Sequence, residues 1–96
     1  MILCAAIKVA FERDGREVAV VIPGFRHGII WELMDELQLP PKSKRKEIEG
    51  FIDNNGEFLD RFDAFYHAKM CGQLSATVLT YKTEHFENEL FSEDLY

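Results

Sequence analysis

The sequence predicts an α+β fold, a small antiparallel sheet of three to four strands packed with two α-helices, in an oligomeric protein. Three observations carry this reading. The pair Asp14-Gly15 separates two runs rich in β-branched and apolar residues, the pattern of a hairpin. Beyond Pro23-Gly24, apolar residues recur with helical spacing at Ile29, Ile30, Leu33, Met34 and Leu37. Further on, Asn54-Asn55-Gly56 leads into Asp60 and Asp63, a tight turn followed by a capped helix.

Residues 2–11 and 17–25 are the strands of the hairpin. The near-continuous apolar run at 18–22 implies burial on both faces, by helices on one side and another subunit on the other. Residues 26–39 form the first helix, which Pro40-Pro41 stops. Residues 42–46 are basic and aperiodic, either a solvated connector or a mobile cationic rim around an anion site. A short third strand at 47–53 precedes the turn, and Phe58-Leu59 is a brief return segment. Helix two runs from its Asp60 cap to about Cys71, with Gly72 at its C-terminal end. Residues 77–81 have strand composition, and 82–89 read as a polar loop. Residues 90–96 mix Leu, Phe and Tyr with acids, too apolar for a free tail, so they are expected to dock on the domain or a neighbour.

Ninety-six residues make a single domain, 1–96, and 47% apolar content with eight Phe argues for a packed chain. The opening apolar run is interrupted at Lys8, which makes it a strand and neither a secretory signal nor a membrane span of ~18 residues. Cys4 and Cys71 are expected to be reduced core thiols of a cytoplasmic protein. The net charge of −6 is unevenly spread: residues 1–46 carry eight Lys and Arg against six acids, and 47–96 three against eleven. That acidic half argues against a nucleic-acid duplex as partner, whereas a small anionic ligand needs only a few placed cations.

Gly24-Phe25-Arg26-His27-Gly28 lies where a strand hands over to a helix, a place where free N–H groups and the helix dipole favour an anion. Arg26 offers a bidentate phosphate contact, His27 a second donor and Phe25 a stacking face; equally, Arg26 pairs with a carboxylate and Phe25 is core. Arg61 at the start of helix two, near Asn54, is a second candidate for phosphate or ribose, or else a surface ion pair. Ser92, Glu93 and Asp94 offer acceptors for ribose hydroxyls or an adenine amino group, or form a solvated acidic terminus. His27, His67 and His85 lack metal-ligand spacing, so neither metal nor cofactor is expected. With no P-loop and no nucleophile elbow, catalysis is not expected either.

Taken together, the Cys-Ala-Ala-Ile opening, Ile22-Pro23-Gly24-Phe25-Arg26-His27, Gly50-Phe51-Ile52, the stretch 56–61, Ala64, Gly72-Gln73 and Ser92-Glu93-Asp94-Leu95 resemble a family of small phage proteins, the first type of Thoeris anti-defence protein. The match covers nearly the whole chain. Its members carry Glu where this chain has Asp63. The resemblance implies a signal sponge acting in the cytoplasm of the infected bacterium. Such a protein binds cyclic ADP-ribose isomers such as glycocyclic ADP-ribose, holds them uncleaved, and starves the effector that needs the signal. It further implies a homo-oligomer, a hexamer, with additional sites for cyclic di- or trinucleotides of CBASS. Carried over by motif, the ligand-binding residues are Phe25, Arg26, His27, Asn54, Arg61, Ser92, Glu93 and Asp94. The alternatives are an acidic protein–protein inhibitor of a host defence protein, using residues 84–96 as a decoy face, and a nucleotide-cleaving enzyme.

Overall fold

Asp14 and Gly15 both take positive φ, 54° and 77°, and this two-residue turn joins β1 (Ile2–Arg13) to β2 (Arg16–Gly24). The computed structural model describes residues 1–95; the expected docking of Tyr96 lies outside them. The other edge of β1 pairs antiparallel with β3 (Arg45–Asp53), and β3 in turn with the short β4 (Phe58–Asp60), so the sheet order is β2-β1-β3-β4. Helix α1 (His27–Glu36) follows β2, α2 (Arg61–Met70) follows β4 directly, and α3 (Ala76–Glu84) comes next. Single 3-10 turns span Lys42–Lys44 and Ser92–Asp94. No helix among the described residues is long and apolar enough to cross a membrane.

Side-chain alternation along β1 decides which face is the core. Ala5, Ile7, Val9 and Phe11 point inwards and are buried. Their partners on β2 share that face: Ile22 opposite Ile7, Val20 opposite Val9, Val18 opposite Phe11. A register shift between Ile2 and Cys4 reverses the parity, so that Ile2 joins the same core although it sits an odd number of residues from Ala5. Phe51 of β3, Ile30 and Met34 of α1, Ala64, Phe65 and Ala68 of α2, and Leu74 and Leu90 complete the cluster. Both faces of 18–22 were expected to be covered, but within the chain Ala19 and Val21 stand exposed.

The α+β expectation holds, with four antiparallel strands and three helices. The third helix corrects the strand reading of 77–81. There the β-branched composition is overridden by a Ser75 cap, whose Oγ accepts from the Val78 N–H at 3.2 Å, and by a buried stripe at helical spacing, Leu74, Val78 and Lys82. The polar loop expected from residue 82 therefore begins only after Glu84. Helix α2 is capped as read: Asp60 Oδ1 accepts from the Asp63 N–H at 2.8 Å. At its far end Gly72 takes φ 71°, with Gln73 N–H bonded to Ala68 O and Gly72 N–H to Lys69 O, a Schellman closure. The Gln73 side chain then pairs with both backbone groups of Ile2, at 2.7 and 2.6 Å, and fastens this corner to β1. Both cysteines are free, but Cys71 is exposed and Cys4 only partly buried, so neither is a core thiol: Cys71 falls on the cap beyond the buried face of α2.

Gly50 is required where β3 meets β4. A Cβ there would lie 2.1 Å from the Leu59 carbonyl oxygen and 2.6 Å from the Phe58 ring. Backbone cannot yield as a side chain can, so Gly50→Ala is expected to lower unfolding free energy by at least about 2 kcal/mol, read from urea denaturation.

Candidate functional site

The segment after α3 turns back over the domain because a buried charge requires it. Lys82 is 2% exposed. Its Nζ donates to the Glu89 carbonyl at 2.7 Å, pairs with Asp94 at 2.9 Å and, more loosely, with Glu87 at 3.7 Å. The ammonium also lies 5.0 Å from the centre of the Phe91 ring and 5.9 Å from that of Phe65. Leu90 is fully buried, and its N–H donates to the Arg61 carbonyl at 2.9 Å. The expected docking of the C-terminal segment is thus observed for residues 90–95.

His27 ties this segment to the sheet. The Gly50 carbonyl can only accept, so the ring's Nε2 carries the proton and donates to it at 2.8 Å. In the neutral ring Nδ1 then accepts from the Ser92 hydroxyl at 2.9 Å. The ring meets Phe51 edge-on at 5.1 Å, and both His27 and Ser92 are buried.

Between α1, β3, α2 and the C-terminal segment lies a cleft of about 560 Å³. Arg26, the N-terminal turn of α1 and Trp31 form one side, and Phe91, Ser92 and Glu93 the other. Glu49 and Arg61 line it too. Arg61 pairs with Glu49 and stacks its guanidinium 4.7 Å over the Phe91 ring. Its Nε–H is buried without an acceptor, which leaves unused donor capacity. The Trp31 indole N–H donates to the other Glu49 oxygen at 3.0 Å. Burial raises the pKa of the Glu49 carboxyl, but the Trp31 hydrogen bond, the Arg61 charge and hydrogen bond and the nearby His27 outweigh it and hold the group below the usual carboxylate range. Helix α1 begins at Arg26 with no side-chain cap and no acid in its first turn. Its dipole and unpaired N–H groups are therefore not already neutralised by an acidic side chain of that turn.

Of the eight residues singled out from sequence, the cleft gathers five: Arg26, His27, Arg61, Ser92 and Glu93. Phe25 lies beside it, 57% exposed, with the Arg26 guanidinium carbon 5.7 Å from its ring centre. Asn54 is elsewhere, on the β3–β4 turn, where its Oδ1 accepts from the Met1 amino group and its N–H donates to the Met1 carbonyl. Asp94 does not line the cleft; it accepts from the Phe91 N–H at 2.8 Å and neutralises Lys82. His27 and Ser92 hold one another within the chain, and both ring nitrogens of His27 are engaged, so the two residues also fix the walls of the cleft that they line. Four lining residues escaped the sequence reading: Trp31, Glu32, Glu49 and Phe91. Only Trp31 carried a signal, as the sole Trp, one helical turn after His27 on the same face. Among the described residues no group of three or more His, Cys, Asp or Glu is placed to hold a metal ion.

Lys82→Met keeps the apolar stem and removes the charge, leaving Asp94 unpaired. It is expected to cost about 3 kcal/mol and to speed amide exchange at residues 90–94 well beyond that of the sheet. Because the Glu49 carboxyl is lowered on folding, it stabilises the protein above the ordinary carboxylate range, and the contribution fades as pH falls through the lowered folded value. Glu49→Gln is therefore expected to flatten the acid limb of a plot of urea midpoint against pH.

Comparison with known proteins adds the lineage. The family model described as phage T4 y16D protein matches residues 1–96. No curated protein and no solved structure gives a match. With its whole length covered, the chain belongs to the phage T4 y16D protein family.

Proposed function

We propose that the protein is a phage anti-defence sponge, which binds a cyclic nucleotide immune signal and holds it without cleaving it. The signals are the cyclic ADP-ribose isomers of Thoeris and, at further sites, cyclic di- or trinucleotides of CBASS. The observation that carries this reading is the cleft that joins Arg26 and the open N-terminus of α1 to Arg61, Trp31, Phe91 and Glu93. A cyclic nucleotide needs three kinds of contact, and the cleft offers each. Arg26 and the helix N–H groups suit its phosphates. The face of Trp31 and the guanidinium plane of Arg61, which Phe91 supports from beneath, suit a purine, and Glu93 and Glu49 suit ribose hydroxyls or an exocyclic amino group. The volume, about 560 Å³, lies within the range of small-molecule sites.

Membership of a phage family and the resemblance to anti-Thoeris proteins support the same reading. Sequestration asks for affinity and slow release rather than for complementarity to a transition state. The protein works in the cytoplasm of the infected host as a homo-oligomer, a hexamer, which multiplies the signal held per assembly. One observation favours a second reading, a protein–protein inhibitor acting through an acidic face: Glu84, Glu87 and Glu93 are exposed along the C-terminal stretch.

Calorimetric titration with glycocyclic ADP-ribose, followed by heat denaturation and chromatography of the released ligand, tests the proposal. Tight binding and recovery of intact ligand are expected. Absence of heat with every cyclic nucleotide would favour the protein inhibitor, and recovery of cleaved ligand an enzyme. Arg26→Ala is expected to weaken binding of at least one nucleotide class by about tenfold or more, with the circular-dichroism melt unchanged.

A further inference from the structure

Strand β2 lies at the edge of the sheet. It pairs with β1 on one side, and among the described residues no backbone group pairs with its other side. Its charges stand at the start, on Arg16 and Glu17. From Val18 to Ile22 it carries no charge, no proline and no register shift, the devices that normally blunt a free edge.

Helix α1 leaves a second border open beside the first. Ile29, Leu33 and Leu37 recur every fourth residue and are 50%, 42% and 41% exposed. The helix packs equally on β1 and β2. Ile30 and Met34 point down into the core, and Trp31 leans towards β3, where it bonds Glu49. At about 100° per residue the stripe therefore lies on the flank away from β3, beside the free edge of β2, while Glu32 and Glu36 point up into solvent.

The two borders are also level with one another. His27 bonds Gly50, which lies across Ala6 from Pro23, so the helix starts abreast of Pro23. The Trp31–Glu49 bond shows that it runs back along β2 towards the hairpin turn. From that start Val20 lies about 10 Å along the strand and Leu33 about 9 Å along the helix. Val20 is the midpoint of β2, and Leu33 the midpoint of the stripe.

We propose that this border is the contact between two copies of the chain, related by a two-fold axis normal to the sheet at Val20. Strand β2 pairs antiparallel with β2 of the second copy, making one eight-stranded sheet, and the two α1 helices lie side by side upon it. Strands are about 4.8 Å apart, so a helix midway between β1 and β2 lies about 4.8 Å from the axis. The two helices are then about 9.6 Å apart, within the roughly 8–10 Å of packed helices. Leu33 meets its own counterpart and Ile29 meets Leu37. Along the strands, Val18 meets Ile22 on the inner face and Ala19 meets Val21 on the outer one. Arg16 and Glu17 fall opposite Gly24 and Pro23, so no like charges oppose. Other occupants satisfy one border alone: an added peptide strand leaves the stripe in water, and a helix laid on the stripe leaves the β2 edge unpaired. The contact gives the proposed oligomer a surface and does not depend on which ligand the cleft holds.

The test is sedimentation of the full chain as wild type, as Leu33→Glu, as Leu33→Lys and as an equal mixture of the two variants. Position 33 is exposed in the single chain, so both changes are expected to keep the circular-dichroism spectrum. Each variant alone is expected to show at most about half the mass of the wild type, and the mixture to restore it, because opposite charges then face each other across the axis. In the wild type, alternate amides from Val18 to Ile22 are expected to exchange at least about tenfold more slowly once the chain associates. A wild type that stays monomeric would overturn the proposal. An oligomer whose mass Leu33→Glu leaves unchanged would also overturn it, while sparing the oligomer and moving its contact elsewhere. A mixture that stays dissociated would overturn the two-fold pairing, and edge amides indifferent to concentration would overturn the strand pairing. The exchange measurement needs no variant to fold.

Discussion

Lys82 brings an ammonium group into a part of the molecule where it is 2% exposed, and an uncompensated charge there would cost far more than the stability of a domain this size. The compensation comes from the segment that follows. Glu89 supplies a carbonyl, Asp94 a carboxylate and Phe91 a ring face, and these contacts dictate the path of residues 87–94. Everything on the far wall of the cleft inherits its position from that arrangement. Phe91 meets Arg61, Ser92 meets His27, and Leu90 seals the core.

His27 shows the same economy on the other side. One ring nitrogen is bonded to the sheet through Gly50 and the other to the C-terminal segment through Ser92, so a single side chain joins three elements. Gly50 serves the same junction, because its missing Cβ lets β4 close upon β3. The motif residues Gly50 and His27 are therefore partners in one buried joint. Arg26, next to His27, is held at the mouth of the cleft by the anchoring of its neighbour. Strand β3 divides its inner face between these tasks, with Phe51 in the core and Glu49 and Glu47 turned to polar partners.

Most of the elements were legible because each is announced by local chemistry. Asp14-Gly15 demands a turn with two positive φ values, Asp60 satisfies the first N–H groups of α2, and Gly72 adopts the left-handed conformation that ends it. Helix α3 was not legible from composition, since Thr77, Val78, Thr80 and Tyr81 favour a strand. Ser75 and the spacing of Leu74, Val78 and Lys82 outweigh that preference, because burying this stripe stabilises more than the propensities cost. A Lys on the buried face of a helix hides such a stripe from any reading that equates burial with apolar residues.

By itself the sequence determined the α+β class, the hairpin, the caps of α2, the docking of its apolar end and five of the residues that meet in the cleft. These follow from interactions over a few residues or from the bulk of apolar side chains, and such interactions act wherever the chain goes. Only the tertiary structure decided that Asn54 and Asp94 serve the scaffold, that His27 and Ser92 satisfy one another, and that Trp31, Glu32, Glu49 and Phe91 line the site. It also decided that β4 stops short and leaves part of β3 uncovered. Those outcomes depend on contacts between residues up to 65 positions apart, whose geometry is set by how the layers pack and not by any local pattern.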